Sequence, residues 1–337
     1  MILLRCYDRN QSPLEIDSGS IEPFAFGGDS VIYRLKRNEG DLVIKAIKDP
    51  NLRYQQQWAR KWLSIGGTYS SQSIPTQLRA AIPMYKGACD GKELNKPGDE
   101  RCPENVLHSV FAFDFIDGQS FYDLYPSDNR RFKTREIPGF QIRLRLAMDF
   151  LEQKHKMESC GLFSSDCFLD NLIIKDDKVF PIDYCSGGVF DLNKQRIVQH
   201  RLSLGKESAM PIPPEKYYDI YSERWMALNA VWEMLTGTTQ LLPFIGEIVE
   251  PSHIQQMIND RERTGAVWPP VLSQTSSFYS DKYQDYDRYC QQLFGSSSTQ
   301  FSLILHQMYI RGFARPKARP SYLSILKAIS GLKHSTQ

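Results

Sequence analysis

The sequence predicts an α+β fold in two lobes, a small antiparallel β-rich lobe followed by a large helical lobe. Three observations carry this expectation. Apolar and β-branched runs at 2–7, 13–16, 30–35 and 41–47 alternate with turns rich in Asn, Gly and Asp, the pattern of antiparallel hairpins. Beyond Gly118, apolar residues recur at helical spacing over 141–157, 223–235 and 301–310. A single apolar strand at 106–116 joins the two parts. The expected small lobe is 1–114, the hinge 115–118 and the helical lobe 119–337. A cleft between two such lobes is a common cofactor site.

Within this outline, 52–63 is the first stretch with helical spacing, and 86–105, rich in Gly, Lys and Asp, reads as a loop. The short biased run 295–299 also reads as a loop, and the aromatic run 278–289 as helix surface and core. With 337 residues the chain can bury one large core or two moderate ones. Lys plus Arg (41) nearly balances Asp plus Glu (39), so no strong field favours nucleic acid or an anionic membrane surface. No run approaches the roughly 18 apolar residues of a membrane span. The opening residues turn charged too soon for a secretory signal. Seven cysteines without a C-x-x-C pair favour neither a disulfide framework nor a zinc site. A reduced, cytoplasmic setting is expected.

Three segments carry the chemistry. Ala25-Phe26-Gly27-Gly28-Asp29-Ser30-Val31-Ile32-Tyr33 falls at a predicted strand–turn–strand, where glycines let a backbone approach an anion closely. Leu42-Val43-Ile44-Lys45 sets an ammonium at the end of an apolar strand, with Lys48 as a rival three residues on. Asp166, four residues and Asn171 then precede the apolar run Leu172-Ile173-Ile174, and a second apolar strand, Val179-Phe180-Pro181-Ile182, ends in Asp183. Taken singly, these segments read equally well as a hairpin turn, a solvated strand lysine and a polar loop. Their order and separation set them apart from chance.

Together the segments resemble protein kinases, over roughly residues 20 to 330 and closest to a bacterial-type Ser/Thr branch. Gly27 takes the middle place of the glycine-rich loop, with Ala25 and Ser30 in the outer places and Ile32 in that of the valine. Lys45 matches the phosphate lysine. Asp166 and Asn171 match the catalytic loop, and Asp183 the D-F-G aspartate. Pro213-Pro214-Glu215 stands at A-P-E, and Ala318-Arg319-Pro320-Ser321 resembles the element whose arginine pairs with that glutamate.

The resemblance implies a two-lobe kinase fold using ATP and Mg2+ to phosphorylate a Ser or Thr hydroxyl of a protein substrate. In it, Ala25, Gly27, Gly28, Ser30, Ile32 and Lys45 hold the phosphates. The backbone at Asp114 and Ile116 meets the adenine, and Phe113 is the gatekeeper. Asp166 accepts the hydroxyl proton, while Asn171 and Asp183 hold magnesium. No nucleic-acid or membrane partner is implied.

Four departures bear on activity. Ser164-Ser165 replace His-Arg before the catalytic aspartate, and Phe168 replaces a lysine after it. Tyr184-Cys185 replace Phe-Gly. No Asp or Glu occurs from Pro50 to Cys89, so the helix after Lys45 offers it no carboxylate. These losses leave a second reading open, a pseudokinase serving as a nucleotide-binding or interaction module. They also give an activating partner a place, to complete a poorly organised site. A small-molecule kinase fits less well, because the activation segment and the Arg319 element are both present. Buried thiols are the expected state of Cys167 and Cys185.

Overall fold

The computed structural model describes residues 3–7, 13–17, 21–26, 30–47, 85–89, 109–126, 139–159, 162–163, 167, 169–182, 188–189, 220–237, 290–312 and 315–333. It divides into two compact units, Met1–Gly118 with Phe180–Gly188, and Gln119–Val179 with Val189–Gln337. The predicted helix at 52–63, the aromatic run 278–289 and Cys185 lie outside the described residues.

The first unit carries an antiparallel seven-stranded sheet. Its strands are β1 (Leu3–Tyr7), β2 (Pro13–Asp17), β3 (Ile21–Phe26), β4 (Ser30–Leu35), β5 (Leu42–Ile47), β6 (Tyr85–Cys89) and β7 (Ser109–Asp114). Their spatial order is β2-β1-β6-β7-β5-β4-β3. Period-two alternation builds one apolar face: Val31, Tyr33 and Leu35 of β4 are buried, as are Leu42 and Ile44 of β5. Ile32, Arg34, Val43 and Lys45, on the other face, are half-buried.

One expectation is corrected here. Residues 86–89, expected to begin a loop, belong to strand β6. Gly87 and Lys86 weaken the local strand signal, and the register shifts between Tyr85 and Gly87 opposite β7. Pairing on both sides, with β7 and through Ala88 with Tyr7 of β1, makes the segment a strand despite its composition.

In the second unit, β8 (Gln119–Ser120) leads into the single-turn helix α1 (Phe121–Leu124). Ser120 and Asp123 form a reciprocal capping box, the hydroxyl accepting from the Asp123 N–H and the carboxylate from the Ser120 N–H. Helix α2 (Phe140–Ser159) follows, then β9 (Leu162–Phe163), a 3-10 turn at Leu169–Asn171 and β10 (Leu172–Lys175), and the unit boundaries fall inside β11 (Lys178–Pro181) and β12 (Gly188–Val189). Strands β11, β10 and β8 make a three-stranded sheet, and β12 pairs with β9. Asp176 and Asp177 turn β10 into β11 with positive φ (51° and 57°), a conformation short polar side chains tolerate.

Helix α3 (Ile220–Thr236) is the axis of this unit. Apart from Tyr221 and Arg224 it is buried on every face, as its near-continuous apolar sequence requires. It ends at Gly237, which adopts φ +73° and donates its N–H to the Glu233 carbonyl at 2.8 Å. Helix α2 packs against it, and Ala147, Phe150 and Leu151 of α2 are fully buried in the core. Helices α4 (Thr299–His306) and α5 (Tyr322–Ile329) complete the described layer. An aromatic seam joins these helices: Phe140 of α2 meets Phe294 at 5.6 Å, Phe294 meets Phe301 of α4 at 6.1 Å, and Phe301 stacks on Trp232 of α3 at 6.2 Å.

Two local expectations change in this unit. Gly295–Ser298, read as loop, is a 3-10 turn, closed by the Ser297 hydroxyl donating to the Phe294 carbonyl at 2.5 Å. The helix expected over 301–310 is α-helical only to His306 and widens to π-helical turns at Gln307–Arg311. The predicted strand at 106–116 is observed as Ser109–Asp114, with residues 115–116 beyond the ladder and 106–108 outside the described residues. Among the described residues, no helix is long and apolar enough to cross a membrane.

The π turns bring Gly312 against Arg319. A methyl group there would lie 2.5 Å from Arg319 Cγ and 3.1 Å from the Gln307 carbonyl oxygen. Arg319 is only 2% exposed and has little room to yield. Gly312→Ala is therefore expected to cost about 1–3 kcal/mol and lower the thermal midpoint; an unchanged midpoint would contradict this packing.

Candidate functional site

Cross-strand pairing sets the candidate residues of the first unit in a row. Ala25 of β3 pairs with Ile32 of β4, Ile32 with Lys45 of β5, and Lys45 with Phe111 of β7. Residues directly opposite on neighbouring strands share a face, so this row lies on the half-buried side. Phe113, two residues beyond Phe111, is on the same side and 9% exposed. Ser30 begins β4 opposite Ile47. Asp114 pairs with Leu42 at the last rung of β7 and is half-buried, as is Ile116. Gly27, Gly28 and the rival Lys48 lie outside the described residues.

The exit from β7 is fixed by a small network. The Phe115 N–H donates to the Asp41 carbonyl at 3.0 Å. Arg34 covers the Phe115 ring, 4.2 Å from its centroid, and pairs with the Asp41 carboxylate at 2.6 Å. Phe24 meets Phe115 edge to face at 5.6 Å. Phe24 lies where the β3–β4 register shifts between Pro23 and Ala25, and this bulge leaves it 57% exposed. The hydrogen bond from Arg34, joined by one from the Arg37 N–H, holds the Asp41 carboxyl below the usual carboxylate range.

In the second unit, Asn171 closes the 3-10 turn and is half-buried. Buried Leu169 and Leu172 flank it and set its position. Strand β10 is held by β8 through Ile173–Ser120 and Ile174–Gln119 pairs. Strand β11 is held to α2 by Asp149, whose carboxylate accepts the Val179 N–H at 2.6 Å. Asp166, Asp183 and Glu215 lie outside the described residues. Arg319, the expected partner of Glu215, donates to the carbonyls of Gly312 (3.0 Å) and Tyr221 (2.8 Å) and lies over Trp225 at 4.8 Å. It thus ties the start of α3 to the π-helical turn.

Sequence reasoning overlooked Lys154 and its pairing with Glu223. Lys154 of α2 pairs with Glu223 of α3 at 2.7 Å, with side chains 1% and 3% exposed. Cys167, buried as expected, places its sulfur 3.7 Å from the same carboxylate oxygen. Burial alone would lower the Lys154 pKa, but the neighbouring Cys167 and Glu223 outweigh it and hold the ammonium above the usual lysine range. The same neighbours add to burial in pushing the Tyr322 hydroxyl well above its ordinary value. A signal existed: Lys154 falls in the apolar stripe Ala147, Phe150, Met157 of α2, where an unpaired lysine is untenable.

No protein-family model matches the chain. It is similar to the isoleucine–tRNA ligase of Picrophilus torridus, 23% identical over 180 residues. That stretch is 53% of this chain and 16% of the ligase, so the chain spans a small part of that relative's length. Identity of this extent assigns no family.

The Asp41 environment gives a pH prediction. Because folding lowers its pKa, its contribution is fully present above about pH 3.9 and fades as pH falls through the lowered value. Asp41→Asn should lower the thermal midpoint near pH 5, with the gap to wild type closing as the pH falls through that lowered value. A gap independent of pH would contradict the assignment.

Proposed function

We propose that this chain is an ATP- and magnesium-dependent phosphotransferase of protein-kinase type, acting on a Ser or Thr hydroxyl of a protein. The observation that carries the reading is the row Ala25–Ile32–Lys45–Phe111. A nucleotide bound at the glycine turn with its base at the end of β7 needs a cation on the strand between them. Lys45 stands on that strand, β5, and on the same face as Phe113.

The donor types suit the group. An ammonium serves phosphate as a point charge, and amide and carboxylate oxygens are hard ligands for magnesium. Lys45 would contact the phosphates and Asn171, with Asp183, would hold the metal. Bound magnesium would neutralise charge on the phosphates. Asp166 would accept the proton of the acceptor hydroxyl. The reading does not require a basic surface, consistent with near-balanced charge.

The departures from the family pattern support low basal activity. Lys45 has no acidic residue available from the 50–89 stretch, so its placement depends on other groups or on the nucleotide itself. An activating partner would act by supplying that order.

Incubation with γ-labelled ATP, magnesium and generic protein acceptors tests the reading, with nucleotide affinity measured in parallel. Lys45→Ala should weaken nucleotide binding by about tenfold to a hundredfold, the scale of a charge-assisted contact. Asp166→Asn should abolish transfer while leaving affinity within about twofold. Nucleotide binding by the wild type without transfer would favour the nucleotide-binding module instead, and absence of both would overturn the proposal.

A further inference from the structure

Beyond Asp114 the β5–β7 ladder gains one more rung, in which the Phe115 N–H donates to the Asp41 carbonyl at 3.0 Å. The end of a ladder is where pairing opens most readily. Both residues of this rung meet the same guanidinium. Arg34 of β4 donates through Nε to an Asp41 carboxylate oxygen at 2.7 Å, and a second nitrogen lies 2.6 Å from that oxygen. The guanidinium carbon sits 4.2 Å from the centre of the Phe115 ring. The Arg37 N–H donates to the other Asp41 oxygen at 3.2 Å, so the carboxylate is held from two sides. Phe24 of β3 closes edge to face against the same ring.

Stability alone does not account for this arrangement. The Arg34 and Asp41 side chains are 33% and 21% exposed, and an ion pair this open to water contributes little to folding. What the pair does is orient. The peptide unit between Asp114 and Phe115 is planar and trans, so its C=O and N–H point in opposite directions. Holding the Phe115 N–H on Asp41 therefore aims the Asp114 carbonyl away from β5. The β6–β7 pairing ends at Phe113, so Asp114 lies beyond its last rung. Phe115 stands between Asp114 and Ile116, the two residues whose backbone is expected to meet the base.

We propose that Arg34 is a positioning residue for the nucleotide base: it keeps the Asp41–Phe115 rung closed and so aims the Asp114 carbonyl. It acts through Asp41 and Phe115 rather than by touching the nucleotide. Arg34 stands two residues along β4 from Ile32, the partner of Lys45. One sheet face thus carries two cations with separate tasks, Lys45 for the phosphates and Arg34 for the base. The consequence for the base rests on the phosphotransferase reading; the brace on the rung does not.

The test compares the full chain with Arg34→Met, which keeps the stem and loses the guanidinium, and with Arg34→Lys, which keeps a charge opposite Asp41 without the planar fork. Amide hydrogen exchange over 113–117 is read by mass spectrometry, beside affinities for ADP and for inorganic tripolyphosphate, both with magnesium. Arg34→Met should exchange about fivefold to tenfold faster over 113–117 and bind ADP about threefold to tenfold more weakly, with tripolyphosphate affinity within about twofold. Arg34→Lys should fall between Met and wild type in both readouts, and it decides the matter if Arg34→Met does not fold. Unchanged exchange over 113–117 in a folded variant overturns the brace, and equal losses for ADP and tripolyphosphate overturn its link to the base. Faster exchange in Arg34→Met, in a chain whose wild type binds neither probe, keeps the brace and removes the nucleotide reading.

Discussion

A lysine and a glutamate, almost wholly removed from water, face one another between the two helices at the centre of the second unit. Everything near them is arranged so that neither charge is stranded. Helix α3 is buried on nearly every face, and each of its charged residues has a partner. Glu223 takes Lys154, Arg224 takes Glu158, and Glu233 accepts from the Tyr122 hydroxyl. Removing one member of a buried pair costs about 3–5 kcal/mol, comparable with a large share of a domain's net stability. The helix is therefore committed to α2 in one rotation. Arg143 adds to that commitment: buried on α2, it donates to the Met234 carbonyl at 3.1 Å and lies 4.6 Å from the Tyr125 ring. It satisfies a carbonyl of the last turn of α3 while packing the segment after α1.

The sheet unit solves a different problem. Period-two alternation gives it one apolar face, and the opposite face carries half-buried Lys45 and Ile32 and buried Phe113. Because β5 lies between β4 and β7, a lysine on it is flanked on both sides by ordered backbone. The Arg34–Asp41–Phe115 network then fixes how the chain leaves β7. Lys45 and the chain leaving β7 are thus held by neighbouring strands, and strands position side chains more closely than loops do.

Much of this was legible in the sequence, for reasons that differ by element. Strands β1, β2, β4 and β5 announce themselves because each is a short apolar run between turn residues, and both pairing partners of each hairpin are local. Strand β6 does not: Lys86 and Gly87 carry no strand preference, and its pairing with Tyr7 and with β7 is long-range. Helices α2 and α3 were legible from spacing, while the widening at Gln307–Arg311 depends on how Gly312 meets Arg319, which no periodicity encodes. The face shared by Lys45 and Phe113 follows from the pairing of β5 with β7, a long-range register that no hairpin length encodes. Lys154 was hidden because helical spacing assigns it to the core without naming its partner 69 residues away.

The central proposal is that the sheet face bearing Lys45 takes ATP and that Asn171 takes magnesium. The most direct measurement is amide hydrogen exchange of the whole chain with ATP and magnesium added separately and together. The account predicts slower exchange in peptides covering 25–32, 42–47, 113–116 and 169–172, greatest when both are present and with no comparable change over α5. No slowing on adding ATP with magnesium, or slowing confined to segments away from these four, would contradict it.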